Sequence, residues 1–248
     1  TLLLLEHEPV ITLGRGAKAA NILIPPSVRE ARGVELFETG RGGDVTYHGP
    51  GQLVGYPILH LEGKGGGTMP DTVAYVRSVE QLIIDSLADL GLAADRLPEY
   101  PGVWVDVDGP NPRKVCAIGV RLTRGRTLHG FGLNVDPDLA MFDHIVPCGI
   151  PDKAVTSLRA EGIDASMEEV VDVVVARATE RWGQDGVDRH LTPPGDTPVG
   201  PAWTPKRVGD KLVQAVKKHA NGRAQNDDIA VMLFGRVTPA GPATRGPG

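Results

Sequence analysis

Cys148 is the residue best set up for chemistry. It stands between Pro147 and Gly149, so it lies on a constrained turn that can present its sulfur to a cleft. A thiolate is a strong nucleophile, but an isolated cysteine can equally be a small buried hydrophobe, and the residue alone leaves both readings open. Cys116 offers a contrast, because it sits inside the alternating run Val115-Cys116-Ala117-Ile118 and reads as a core side chain. Lys114 opens that same run, and on its own it reads as a solvated charge at a strand end. A third candidate is the stretch Arg41-Gly42-Gly43-Asp44-Val45-Thr46-Tyr47-His48-Gly49-Pro50-Gly51-Gln52. Its glycines allow close backbone approach, so it can line a ligand or simply form a polar hairpin turn. Within it, Arg41 and Asp44 are expected to pair and hold the loop in shape. His48 is either a proton shuttle or a hydrogen-bonded structural histidine.

The elements that must position these residues can be read in order. Leu2 to Leu5, Val10 to Leu13 and Val34 to Glu38 read as strands, the last delivering the chain into the glycine-rich loop. The run 53–59 follows as another strand. From Asp71 to Leu90, Val73, Val76, Val79, Ile83, Leu87 and Leu90 recur at helical spacing, and Gly91 provides the stop. Strands at 102–107, 114–122 and 128–135 are joined by Asp108-Gly109-Pro110-Asn111 and Arg124-Gly125-Arg126, both suited to hairpin turns. The Pro147-Cys148-Gly149 turn lies between a helix around Leu139 to Phe142 and the 154–158 segment. Ser166 with Glu169 forms a capping box for a helix ending at Gly183. Strands outnumber helices and join by short turns, which predicts an α+β architecture with a mixed or antiparallel sheet and packed helices.

Length and composition bound the function. A chain of 248 residues with 41% hydrophobic and 23% charged residues can bury a sizeable core, as one large domain or two small ones. A net charge of −5 and a pI near 5.8 argue against a nucleic-acid partner. Leu2 to Leu5 is too short for a signal-peptide core, and no apolar run approaches the roughly 20 residues needed to span a bilayer. Two cysteines in so long a chain suit a reducing compartment, so a soluble cytoplasmic protein with no membrane partner is expected.

The stretch RGGDVTYHGPGQLVGYP at 41–57 resembles the signature of the octanoyl-[acyl-carrier-protein]:protein octanoyltransferases, also called lipoyl(octanoyl) transferases. Three companions follow in the same order: Lys114 to Arg121, His129 to Val135 and His144 to Ile150. The resemblance spans about Thr1 to Gly183. It implies the fold shared by biotin and lipoate protein ligases and class II aminoacyl-tRNA synthetases, with residues 1–183 as the catalytic domain. It also implies that Cys148 carries an acyl-thioester and that Lys114 pairs with it. Acyl-substrate contacts then fall to Arg41, Gly42, Gly43, Asp44, Val45, Thr46, Tyr47 and His48, to Ala117, Ile118 and Gly119, and to Gly130, Phe131 and Gly132. The small residues at 117, 119, 130 and 132 are expected to leave a slot for an alkyl chain. The implied partners are acyl carrier protein as octanoyl donor, and the lipoyl domains of 2-oxoacid dehydrogenase complexes and the glycine cleavage H protein as acceptors. The family has a further strand and helix before Thr1, so a cut N-terminus is expected.

The physical need for such a pair can be stated. A free thiol with a pKa of about 8.5 is only about 3% thiolate at pH 7, and making the thiolate dominant takes about 3.4 kcal/mol of differential stabilisation. A lysine ammonium in contact with it in a poorly hydrated pocket supplies energy of that order. Spacing says nothing about distance here, since the two are far apart in sequence. A thioester donor is already activated, so no ATP or other cofactor is expected, and the chain has no GxxxxGK[ST] loop. The rival readings are an ATP-dependent lipoate or biotin ligase on the same fold, and an inactive remnant or binding module.

Past Gly183 the composition changes. Residues 184–206 are expected to be a Pro/Gly-rich linker, and 207–248 an atypical tail with a short helix at 208–219 and a strand at 229–234. Ala224 to Leu233 is similar to the last strand of PPM-type protein phosphatases. Asp227 and Asp228 alone make a weak metal site, so no metal is expected.

Overall fold

The computed structural model describes residues 1–63, 70–150, 152–183, 187–192 and 229–234, the last two stretches through their backbone. In chain order the strands are β1 (Leu2–Leu5), β2 (Val10–Leu13), β3 (Glu35–Glu38), β4 (Val45–His48), β5 (Gln52–Pro57), β6 (Asp95–Leu97), β7 (Tyr100–Val105), β8 (Arg113–Thr123), β9 (Arg126–Asn134), β10 (Ala154–Val155), β11 (Val187–Thr192) and β12 (Ile229–Phe234). The α-helices are α1 (Pro26–Ala31), α2 (Thr72–Asp89) and α3 (Met167–Trp182).

Among the described residues these strands form two sheets. The large one runs β11-β12-β1-β5-β9-β8-β7-β6, with β10 added to β8; the small one runs β3-β2-β4. Both mix parallel and antiparallel pairs, and helices pack on the large sheet, so the architecture is α+β as expected.

Alternation along β1 explains how the large sheet is covered on both sides. Leu2 and Leu4 join Tyr75, Val79, Leu82, Ile83 and Leu87 of α2 and Val170 and Val174 of α3 in the main core, while Leu3 and Leu5 pack with Val54 on the opposite face. Asp71 caps α2 by accepting from Ala74 N–H at 2.9 Å, and Gly91, at φ 86°, ends it. The predicted stripe on this helix is rotated slightly, because Val73 is 70% exposed and Tyr75 and Leu82 take core positions instead. Ser166 and Glu169 form the full capping box of α3.

The hairpin between β8 and β9 turns on Arg124 and Gly125, both at positive φ, which is the twist-compatible turn for a two-residue loop. Within the glycine-rich stretch, 45–48 is not loop but strand β4, which pairs antiparallel with β2. The segment 187–192, inside the stretch read as a linker, is strand β11 at one edge of the large sheet, and β12 pairs parallel with both β11 and β1. The tail helix expected at 208–219, and Asp227 and Asp228, lie outside the described residues.

The small sheet has its own core of Ile11, Ile24, Val34, Val45, Tyr47, Met141, Phe142 and Ile145. This cluster clamps the 139–149 segment onto β4. The turn Gly49-Pro50-Gly51 then carries the chain from β4 into β5 of the large sheet. The seam between the two sheets is where the candidate chemistry collects.

Candidate active site

Cys148 occupies the middle of a tight 3₁₀ turn, Pro147–Gly149, with φ 55° and ψ 17°. That left-handed conformation is uncommon for a residue with a Cβ and persists only where the surroundings hold it. They do so here: Gly149 N–H donates to Val146 O at 3.0 Å, Ile150 N–H to Pro147 O at 3.0 Å, and Val146 N–H to Asn21 O at 2.8 Å. Gly149 follows at φ 69°, and a Cβ there would lie 2.7 Å from Asp44 Oδ2. Asp44 is the anchor of this corner, accepting from Asn21 Nδ2 at 2.6 Å and from Val45 N–H at 2.7 Å. The expected Arg41–Asp44 ion pair does not form. Arg41 is 8% exposed and donates instead to Thr12 O at 2.6 Å and to Gly42 O at 3.1 Å. Burial holds the Arg41 pKa down, opposed first by the nearby Cys148 sulfur and then by Asp44 and Tyr56.

Lys114 is not a surface charge, being only 6% exposed. Its Nζ stands 4.7 Å from the centroid of the Trp104 ring, a cation–π placement. Its backbone carbonyl accepts from Thr156 N–H at 2.9 Å, in register with β10. Lys114 and Cys148 line one small cavity at the seam, together with Thr46, Gln52, Ala117, Asn134, Phe142 and Val155. The fold therefore brings the two chemically capable residues to one place, over a separation that sequence spacing could not address.

A polar chain runs along one side of this cavity. Gln52 and Asn134 are opposite each other in the β5–β9 register, and Gln52 Nε2 donates to Asn134 Oδ1 at 2.8 Å. Gln52 Oε1 lies 2.6 Å from His48 Nδ1, and Asn134 Nδ2 donates to Thr156 O at 2.9 Å. His7 Nε2 meets Tyr56 Oη at 3.0 Å, and the His7 and His48 rings are 5.6 Å apart. Burial, and secondarily the neighbouring His7, lowers the pKa of His48 to about 3. Burial lowers that of His7 to about 4 and raises that of Tyr56 to about 12. The histidines are thus kept neutral. Gln52, Asn134, His7 and Trp104 carry no role in the sequence reading; the one signal for Gln52 and Asn134 is that they lie inside two of the recognised motifs.

The remaining predicted contacts distribute unevenly. Thr46 and Ala117 line the cavity, whereas Val45 and Tyr47 lie in the small-sheet core. Gly42 N–H is tied to Val120 O at 2.9 Å, and Gly43 is exposed at φ 85°. Ile118 and Phe131 pack with the main core. The expectation of an open slot over the glycines fails at 130 and 132: a Cβ on Gly130 would strike Gly55 O, and one on Gly132 would lie 2.9 Å from Gln52 Oε1. A Cβ on Gly119 would lie 3.0 Å from Gly42 O. These glycines permit close strand and loop approach. Cys116 is fully buried in the main core, where burial pushes its thiol pKa well up.

Among the described residues no group of three His, Cys, Asp or Glu side chains could hold a metal ion, and no helix is long and apolar enough to cross a membrane. Residues 1–179 match the model of the lipoyl protein ligase A/B catalytic domain. An octanoyltransferase of Solibacter usitatus is 54% identical over 169 residues, covering 68% of this chain and 72% of that protein. One from Myxococcus xanthus is 42% identical over 250 residues, covering 98% of this chain and 67% of that protein, so this match extends into the tail. Among solved structures, a bipartite lipoate protein ligase from Thermoplasma acidophilum superposes with a TM-score of 0.60 at 19% identity, covering 73% of this chain and 70% of that one. A lipoate-protein ligase A bound with ATP gives 0.58 at 20% identity, covering 73% and 71%. At those identities the likeness is one of fold.

Proposed function

From the premise that this chain belongs to the lipoyl protein ligase A/B catalytic-domain family, and within it to the octanoyltransferases, a group of acyltransferases, we propose a two-step octanoyl transfer through Cys148. The observation that carries the proposal is the shared cavity of Cys148 and Lys114. The donor is octanoyl-acyl carrier protein, and the acceptors are lysines of lipoyl domains, including those of 2-oxoacid dehydrogenase complexes and the glycine cleavage H protein. A lipoyl domain also accompanies the Thermoplasma ligase. We assign the catalysis to residues 1–183 and the setting to the cytoplasm, where free Cys116 and Cys148 remain reduced.

In the first step the Cys148 thiolate adds to the thioester carbonyl carbon. The tetrahedral adduct collapses by breaking the bond to the phosphopantetheine sulfur, which leaves as a thiolate and takes a proton from the Lys114 ammonium. In the second, the neutral amine of the acceptor lysine adds to the octanoyl-Cys148 carbonyl. Lys114, now neutral, removes the amine's proton, and the Cys148 sulfur leaves as the amide forms. The first step is close to balanced and the second runs downhill, so neither calls for ATP. Thr46 and Ala117, which line the cavity, are the assigned contacts to the acyl group.

The test is mass spectrometry after incubation with octanoyl-acyl carrier protein and no nucleotide. An octanoyl adduct should form on Cys148, be lost in Cys148→Ser, persist in Cys116→Ser, and be discharged by an apo lipoyl domain. An adduct confined to Cys116 sinks the assignment. Transfer that depends on free octanoate or lipoate with ATP moves the chain to the ligase reading.

A further inference from the structure

Addition to a thioester drives negative charge onto the carbonyl oxygen, and a donor fixed in advance is what makes that charge tolerable. In the turn that holds Cys148, the Gly149 and Ile150 N–H groups are already committed to Val146 O and Pro147 O, so neither is a free donor for that charge. On the same cavity stands the side-chain amide of Asn134, 3% exposed.

The orientation of this amide follows from its partners. Thr156 O and Tyr47 O can only accept, and they take hydrogens from Asn134 Nδ2 at 2.9 Å and Gln52 Nε2 at 3.3 Å. Gln52 Nε2 gives its other hydrogen to Asn134 Oδ1, which leaves Gln52 Oε1 as the acceptor facing His48 Nδ1. Neutral His48 must therefore carry its proton on Nδ1. The chain has one direction, from His48 through Gln52 to Asn134 to the Thr156 carbonyl. Asn134 Nδ2 has two hydrogens and gives one to Thr156 O; among the described residues the other has no partner.

We propose that Asn134 Nδ2 donates this second hydrogen to the acyl carbonyl oxygen as it becomes an oxyanion, with Gln52 and His48 as positioning residues acting through Asn134. The inference rests on the acyl-Cys148 reading above. As the sulfur adds, the carbonyl π pair moves onto oxygen and the Asn134 hydrogen bond tightens without proton transfer. When the adduct collapses, that pair returns and the leaving sulfur departs with its bonding electrons. The same donor serves both steps, since the carbonyl oxygen is common to them.

The test compares two reactions of the same sulfur. Octanoylation passes through an oxyanion, whereas alkylation by iodoacetamide displaces iodide at a saturated carbon and does not. In Asn134→Ala, single-turnover octanoylation of Cys148 should fall by about 10²–10³-fold, while the alkylation rate stays at the wild-type value. Gln52→Met keeps the volume but leaves Asn134 anchored at one end, and should show the same split with a smaller loss; it carries the test alone if Asn134→Ala does not fold. Octanoylation that is unchanged, or that falls in step with alkylation, overturns the proposal. A wild-type chain that alkylates but never octanoylates instead overturns the function on which it rests.

Discussion

Two buried charges lie on either side of Gly102 and are treated in opposite ways. Glu80 on α2 is 1% exposed and fully engaged: Arg77 Nη1 approaches at 2.8 Å, Arg96 Nε at 3.0 Å, and Gly102 N–H at 3.1 Å. Arg96 is itself tied down by Arg77 O and Gln81 Oε1. Lys114 is nearly as buried, yet among the described residues it has no carboxylate partner, only the Trp104 ring and the cavity it shares with Cys148. Taking an ion out of water costs several kcal/mol, and structure recovers this only by surrounding the ion with partners. Glu80 is a scaffold charge by that measure. Lys114 is left incomplete, and an incomplete buried cation is what a thiolate can complete.

The largest effect expected from this contrast is on activity. Lys114→Met fills a similar volume with apolar atoms, so octanoylation of Cys148 should fall by at least about 100-fold, while the melting temperature holds or rises. Loss of both would make Lys114 another scaffold charge and erase the distinction. Glu80→Leu is the converse. It orphans the Gly102 N–H and two arginines that can still reach water, so the cost should be about 3 kcal/mol, the low end for a broken buried pair. Urea unfolding reads this as an earlier midpoint, with octanoylation retained in the folded fraction.

Gly102 itself touches both sides and provides a sharper probe. It sits at φ 121°, and a Cβ there would lie 2.6 Å from Cys116 O and 3.4 Å from Lys114 Cε. Gly102→Ala should cost about 2 kcal/mol of stability through backbone strain. It should also slow octanoylation by displacing the Lys114 side chain, which Glu80→Leu does not do. Equal stability loss with wild-type octanoylation would show that the Lys114 stem does not need the space.

How much of this was legible in the sequence depended on the kind of signal. Helices α2 and α3 are legible through the apolar spacing and Gly91 stop of the first and the Ser166 capping box of the second, because those are local effects. The Arg124-Gly125 turn is legible for the same reason. The strand at 45–48 was hidden because its glycine-rich surroundings read as loop, and only pairing with Val10–Leu13 makes it a strand. Cys148 and Lys114 came from motif likeness, and no local pattern could say that they meet. Asn134 and Gln52 carry no local sign of a task, since their partnership is created by the β5–β9 register. Arg41 and Asp44 were paired on charge alone, whereas the fold offered each a better partner in Thr12 and Asn21.

The smallest expected effect concerns a cluster that solves the burial problem in a third way, by giving up its charge. His48 and His7 stay neutral because burial lowers their pKa values to about 3 and about 4, with His7 adding to the depression of His48. Both values lie below the ordinary histidine value of about 6.5, so below that pH the unfolded chain binds protons that the folded chain refuses. The stabilisation is therefore complete above about pH 6.5 and is lost as the pH falls toward 4 for His7 and toward 3 for His48. Each histidine contributes a slope of about 1.4 kcal/mol per pH unit inside its window. Urea midpoints measured from pH 7.5 down to 4.5 should decline accordingly. His48→Asn can still donate to Gln52 Oε1 but cannot titrate, so its decline should be shallower than wild type. A decline of unchanged steepness would mean that His48 takes up its proton without cost, and that the neutral imidazole at the head of the Gln52–Asn134 chain is not enforced by the fold.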